Sequence, residues 1–191
     1  MLVDLIGTGS VGTALATGLS AAGHDVVLGS REPGDGQFET VDQRAAAERG
    51  EVVVLAVPGG AVESVAADLA EQLAGKPVVD PTNEYPRARS EQSLAERVAA
   101  AEPGARVVKA FNTVGAERMT DPVVGGSPAT MFLAGDDTDA VAAVSGLAAD
   151  LGFEPLIVGG LADAVHLEHL ARLWIHLSGA YGREIAFRLL R

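Results

Sequence analysis

An α/β fold with a doubly wound, mainly parallel sheet and a long C-terminal helix is predicted by three observations. Short apolar runs of strand length alternate with helical stretches of ten or more residues along most of the 191-residue chain. A glycine-rich turn joins the first of these runs to the first helix. Apolar residues make up 48% of the chain and aromatics only 4%, so the core must be built mostly from Ala, Val and Leu. A strand buried on both faces reads as a continuous apolar run, and its parallel neighbour needs a crossover helix, so this alternation implies βαβ units. The length suits one domain over residues 1–191.

Each element has its own signal. "LVDLIG" (Leu2 to Gly7) is an apolar run interrupted by Asp4, and "VGTALATGLSAAG" (Val11 to Gly23) has helical periodicity and ends on glycine. "DVVLGS" (Asp25 to Ser30) is the second strand, and "REPGDGQ" (Arg31 to Gln37) is a Gly/Pro break too short to be a linker. A mini-strand "FETV" (Phe38 to Val41) and a helix "DQRAAAER" (Asp42 to Arg49) fill the space before "EVVVLAVP" (Glu51 to Pro58). A helix from Val62 to Leu73, a strand "KPVVD" (Lys76 to Asp80), a polar helix from Glu91 to Ala101 and a strand "RVVKAF" (Arg106 to Phe111) follow. The last third reads as "TMFLAG" (Thr130 to Gly135), a helix from Asp137 to Leu151, "EPLIVG" (Glu154 to Gly159) and a helix from Asp163 to about Leu190. That final helix is expected to cap the sheet or to dimerise.

Composition narrows the function. Without cysteine there are no disulfides, thiolate metal sites or cysteine nucleophiles. A formal charge of −12 argues against nucleic acid, whose phosphates need a basic face. With a strand starting at Leu2, no signal peptide is expected, and no apolar run is long enough to span a membrane. The expectation is a cytoplasmic protein with small-molecule partners. Only Lys76 and Lys109 are lysines, which fits either salt adaptation or a GC-rich genome.

"GTGSVG" has the GxGxxG pattern, with Gly7, Gly9 and Gly12 in place between the first strand and first helix. Gly7 permits the tight turn, Gly9 lets the backbone approach a pyrophosphate, and Gly12 allows close packing of helix on strand. The first-turn N–H groups and the positive end of the helix dipole favour phosphate there. This is a Rossmann-type dinucleotide signature; its alternative is a turn rich in glycine for steric reasons alone. Arg31 lies 24 residues beyond Gly7, where such folds meet the adenosine ribose, and neither Gly29 nor Ser30 is acidic. An Asp or Glu at that point selects NAD, whereas Arg accommodates the 2′-phosphate of NADP. Arginine can fork two N–H bonds onto a phosphate and serine can add a third donor, so NADP is favoured. Glu32 leaves NAD open, and Arg31 paired with Glu32 or Asp35 is the plain alternative.

Taken in order, "LIGTGSVG", "VVLGSR", "VVVLAVP", "VVDPTN", "VVKAFNT" and "YGREIAFRLLR" resemble the NADPH-dependent F420 reductases, or F420-dependent NADP oxidoreductases, over nearly the whole chain. The same dinucleotide domain is similar to the cytoplasmic reductase domain of the STEAP metalloreductases. The resemblance implies hydride transfer between NADP and the deazaflavin F420 as substrate. It implies that Thr8, Gly9, Ser10 and Val11 bind the pyrophosphate and that Ser30 with Arg31 binds the 2′-phosphate. Val57 and Pro58 would line the nicotinamide ribose, and Asn83, Asn112 and Thr113 would approach the nicotinamide and the second ring. Asn83 and Asn112 read equally well as turn or helix caps. Small residues at Thr82, Thr113, Gly115 and Ala116 are expected to leave room for a flat ring. Compared with the family, the Glu32–Gly50 span is short, and "PGDG" replaces a further basic residue unless Arg44 folds back.

No catalytic acid, base or nucleophile constellation is present, and direct hydride transfer needs none. His166 and His169 flank Glu168 but lack an evident third metal ligand, so no metal is expected. The stripe Val165, Leu170, Leu173, Trp174, Leu177, Tyr181 and Ile185 reads as core or homodimer packing. Arg183, Arg188 and Arg191 would suit the C-terminal end of a helix dipole. The alternatives to F420 are a flavin or ferric reductase, an imine reductase, and an NADP-binding module without turnover.

Overall fold

The computed structural model describes residues 1–34, 36–85 and 91–190. Its strands are β1 (Leu2–Ile6), β2 (Asp25–Ser30), β3 (Thr40–Asp42), β4 (Val52–Val54), β5 (Pro77–Asp80), β6 (Arg106–Lys109), β7 (Val123–Val124), β8 (Ser127–Pro128), β9 (Thr130–Gly135) and β10 (Glu154–Gly159). Eight of them form one sheet in the order β10-β9-β6-β5-β4-β1-β2-β3. Every neighbouring pair is parallel except β6 and β9. β7 and β8 form a separate hairpin, turned by Gly125 and Gly126, both at positive φ as a two-residue hairpin turn requires.

The sheet is covered on both faces. Helices α1 (Ser10–Ala21) and α6 (Thr138–Asp150) pack on one side, where Leu15, Leu19, Val144 and Leu147 meet Val3, Leu5, Val54 and Val79. On the other side lie α2 (Gln43–Arg49), α3 (Val62–Asp68), the short α4 (Ala70–Leu73), α5 (Leu94–Ala101) and α7 (Ala164–Tyr181). Alanine does much of this packing: Ala46, Ala47, Ala66 and Ala95 are buried and let the helices sit close to the strands. No described helix is long and apolar enough to cross a membrane.

Asp4, the polar interruption of β1, is fully buried. Its Oδ1 accepts from the Val27 N–H at 3.2 Å, and Arg49 Nε comes within 3.9 Å of Oδ2. Burial pushes its carboxyl pKa up, with Arg49 opposing. Lys76 donates to the carbonyls of Ala47 and Glu48, both at 2.7 Å, and so closes the C-terminus of α2.

Several boundaries differ from expectation. The mini-strand is Thr40–Asp42, because that segment pairs with β2, and Asp42 caps α2 through the Arg44 N–H. The stretch from Val62 to Leu73 breaks at Leu69, whose ψ of 13° is not helical. The polar helix starts only at Leu94, behind a capping box between Ser93 and Glu96. The largest difference is at the end: α7 stops at Tyr181, because Gly182 adopts φ 79°. Residues 183–190 form an irregular strap instead. The Thr130 N–H donates to the Phe187 carbonyl at 3.0 Å, and the Trp174 indole donates to the Ile185 carbonyl at 2.8 Å.

The expected apolar stripe is therefore only partly buried. Ala164, Leu167, Glu168, Ala171 and Trp174 face inward, whereas Leu173 and Tyr181 are 47% and 73% exposed. The terminal arginines do not serve the helix dipole. Arg183 pairs with Glu117 at 2.6 Å and covers the Trp174 ring, and Arg188 meets Glu154 at 3.5 Å. Arg191, like Asp35, lies outside the described residues.

Candidate functional site

The chain runs from β1 outward through β2 to β3, and on the other side through β4 and β5 to β6. The direction reverses between β1 and β4, and such a switch point opens a crevice at the C-terminal strand ends. At these strand ends lie Ser30, the last residue of β2, with Arg31 after it, Gly7 to Gly12 after β1, Val57 and Pro58 beyond β4, Asn83 after β5, and the buried Asn112 and Thr113 after β6. The residues singled out in the sequence thus fall in one line across five adjacent strand ends. A cavity of about 570 Å³ is lined by Gly7–Gly9, Ser30, Arg31 and Val57, and a second of about 350 Å³ by Gly9–Val11, Val57, Pro58, Thr82 and Asn83. They share Gly9 and Ala56 to Pro58.

The glycines of the first turn divide their work. A Cβ on Gly7 would collide with the Ala56 carbonyl, and one on Gly12 with the Gly7 carbonyl, so both are required by packing. Gly9 has nothing within 4 Å of where a Cβ would lie. It is the N-cap of α1, makes no side-chain cap, and is followed by a first turn without an acidic residue. Open space in front of uncapped N–H groups is what a pyrophosphate needs, so this cradle fits a dinucleotide.

At the β2 end, Arg31 is exposed on the cavity wall, and among the described residues its guanidinium has no ion-pair partner. The pairing with Glu32 is not made. Ser30 Oγ donates to the Glu32 carbonyl at 3.0 Å and accepts from the Glu32 N–H at 3.1 Å, so it must release one bond to donate to an anion. Arg44 does not fold back; its nearest partner is Gln72 Oε1 at 3.4 Å. Gln43, Ser64 and Asp68 line the cavity in its place. Their positions on helices gave no motif to find them by.

At the far end, Asn83 and Asn112 clasp each other. Asn83 Nδ2 donates to the Asn112 carbonyl at 2.8 Å, and Asn112 Nδ2 donates to Asn83 Oδ1 at 3.0 Å. Asn112 Oδ1 is buried and has no partner among the described residues; Asn83 lines the second cavity, and Asn112 lies behind it. Phe111, just before it, has φ 61°, a non-glycine residue in the left-handed region. Strain of this kind costs about 1–3 kcal/mol and collects at functional sites. Thr113 is buried. The room expected at Gly115 is taken: a Cβ there would lie 2.9 Å from the Trp174 ring, so this glycine seats α7. Glu168 does not reach outward to His166 and His169. It is turned inward to Lys109 and the Leu94 N–H, while both histidines are exposed.

Comparison with known proteins gives the family. The family of coenzyme F420-dependent NADP oxidoreductases matches residues 3–84. The crystal structure of an Arthrobacter sp. FB24 protein, assigned as an F420-dependent NADP reductase, superposes with a TM-score of 0.89 at 31% identity, covering 99% of each chain. The chain belongs to the F420-dependent NADP oxidoreductase family. Another relative is the F420-dependent NADP reductase of Methanothermobacter marburgensis, 29% identical over 90% of this chain and 89% of that protein. The rat metalloreductase STEAP3 is 37% identical over 87% of this chain, which spans 35% of that protein's length. This oxidoreductase chain thus matches about a third of that metalloreductase.

Proposed function

We propose that the protein transfers a hydride between NADP(H) and coenzyme F420. The observation that carries this reading is the alignment of the phosphate cradle, Arg31 and the Asn83–Asn112 clasp along one crevice, in a chain of this family. When bound, NADP(H) gives or accepts the hydride at its nicotinamide, with F420 as the other party. Gly7, Thr8, Gly9, Ser10, Val11 and Gly12 would hold the pyrophosphate through the start of α1. Ser30 and Arg31 would hold the 2′-phosphate, and Val57 with Pro58 would pack on the nicotinamide ribose. Asn83, Asn112 and Thr113 would orient the nicotinamide and the second ring. No side chain has to change its protonation, so the work of the protein is alignment and exclusion of water.

A second reading, an NADPH-dependent flavin or ferric reductase, is favoured by the identity with rat STEAP3. The two separate when the protein and NADPH are mixed with oxidised F420, and separately with FMN or a ferric chelate, while reduction of the acceptor is followed. Reduction of F420 alone supports the first reading, reduction of flavin or iron alone the second, and no turnover a binding module. The assembly we propose is a cytoplasmic homodimer, supported by exposed Leu173 and Tyr181 on α7 and by Ile157 and Val158 on the edge strand β10.

A further inference from the structure

Behind the two strand-end loops lies a charge that the site itself does not use. Lys109, the last residue of β6, is wholly buried. Its Nζ donates to Asp80 Oδ2 at 2.9 Å, to the Thr82 carbonyl at 2.6 Å and to Glu168 Oε1 at 2.7 Å, which uses all three of its protons. Asp80 Oδ1 accepts from both the N–H and the hydroxyl of Thr82, at 2.8 and 2.6 Å. Glu168 Oε1 also accepts from the Leu94 N–H at 2.7 Å, which ties α7 to the start of α5. Every polar group of Thr82 is therefore held by this cluster, and the next residue is Asn83, on the cavity wall.

Stability alone is a poor reason for such a cluster, because well-packed apolar side chains often replace buried ion pairs at no loss. Geometry supplies a better one. The cluster joins the ends of β5 and β6 to α7, and the loops leaving those two strands carry Asn83 and Asn112. Side chains that orient a reacting ring are effective only when a supporting layer fixes them.

We infer that Lys109, with Asp80 and Glu168, is a positioning group that fixes Thr82 and through it the Asn83–Asn112 clasp. Its consequence for turnover rests on the hydride-transfer reading above; the anchoring itself does not. The test uses the intact chain with Lys109→Met. A second variant adds Glu168→Gln, so that one buried carboxylate rather than two is left without its ammonium. Amide exchange of the nucleotide-free protein is the first readout: Thr82, Asn83 and Asn112 should exchange at least about tenfold faster, with Gly9 to Gly12 unchanged. With NADPH and oxidised F420, kcat should fall on the order of 10²-fold, the loss that a displacement of about 1 Å brings. The NADPH Kd, set at the phosphate end, should stay within about threefold of wild type. Exchange at these residues unchanged in a folded variant with a lowered Tm overturns the inference, and so does an unaltered kcat. A wild type that binds NADPH but does not reduce F420 removes the F420 reading and leaves the exchange result to decide the anchoring.

Discussion

Arg31 and Phe111 show how much single residues decide at this site. Arg31 is a cation on the cavity wall without an ion-pair partner among the described residues, whereas the other described arginines that approach carboxylates, such as Arg97 with Glu63 and Glu84, are committed to the fold. A charge-assisted hydrogen bond contributes about 1.5–3 kcal/mol, so Arg31→Ala should weaken NADPH binding by about ten- to hundredfold. NADH binding should hardly change, and titration of both nucleotides checks this; equal losses would remove the 2′-phosphate assignment. Phe111 does the opposite kind of work. Its left-handed backbone turns the chain sharply after β6, and its ring packs edge-on against Phe153 with centroids 6.3 Å apart. That burial holds a conformation the residue would not choose by itself.

Among the elements, the end of α7 is the one most altered by its surroundings. Gly182 stops the helix, and the strap beyond it is held by Trp174, Thr130, Glu117, Arg118, Pro128 and Glu154. Arg183 donates to Glu117 and holds that carboxyl below its ordinary pKa. A carboxyl with a depressed folded-state pKa adds stability above its unfolded pKa and loses it as pH falls through the folded value. The contact is half exposed, so this contribution is small. The indole bond is the better handle. Trp174→Phe loses the donor to Ile185 together with part of a buried ring, and it should cost at least about 1 kcal/mol in chemical denaturation. Backbone amides of the strap should exchange faster in the same variant.

For the whole molecule, surface character and assembly go together. Neither lysine is fully exposed: Lys109 is buried and Lys76 is half-buried and tied to α2, so arginine supplies most of the exposed positive charge among the described residues. Against an overall charge of −12, exposed Leu173, Tyr181, Ile157 and Val158 are conspicuous apolar points on α7 and the edge strand. An uncovered strand edge invites pairing or covering. If α7 contributes to a dimer interface, Leu173→Asp should shift the protein from dimer to monomer on a sizing column without lowering Tm in the monomer. A variant that remains a dimer removes α7 from the interface.

The alternation of strands and helices, the glycine-rich turn, and the strand-end positions of the candidate residues from Arg31 to Asn112 are legible in the residue order. These follow from local rules: apolar runs set strands, glycine spacing sets the turn, and the residue after a strand lands at its C-terminal end. The rest came from contacts between distant segments. The strand order placed those ends side by side, and an irregular path for residues 183–190 replaced helix because Gly182 ends the helix and Thr130 at the start of β9 bonds to the segment beyond it. Trp174 took the space at Gly115, Glu168 turned inward, and Lys109, which reads in sequence as an ordinary charge ending a strand, became the centre of a buried cluster. A charged side chain's meaning depends on what opposes it across the sheet. Its partners, Asp80 and Glu168, are 29 and 59 residues away, a pairing that only the folded chain specifies.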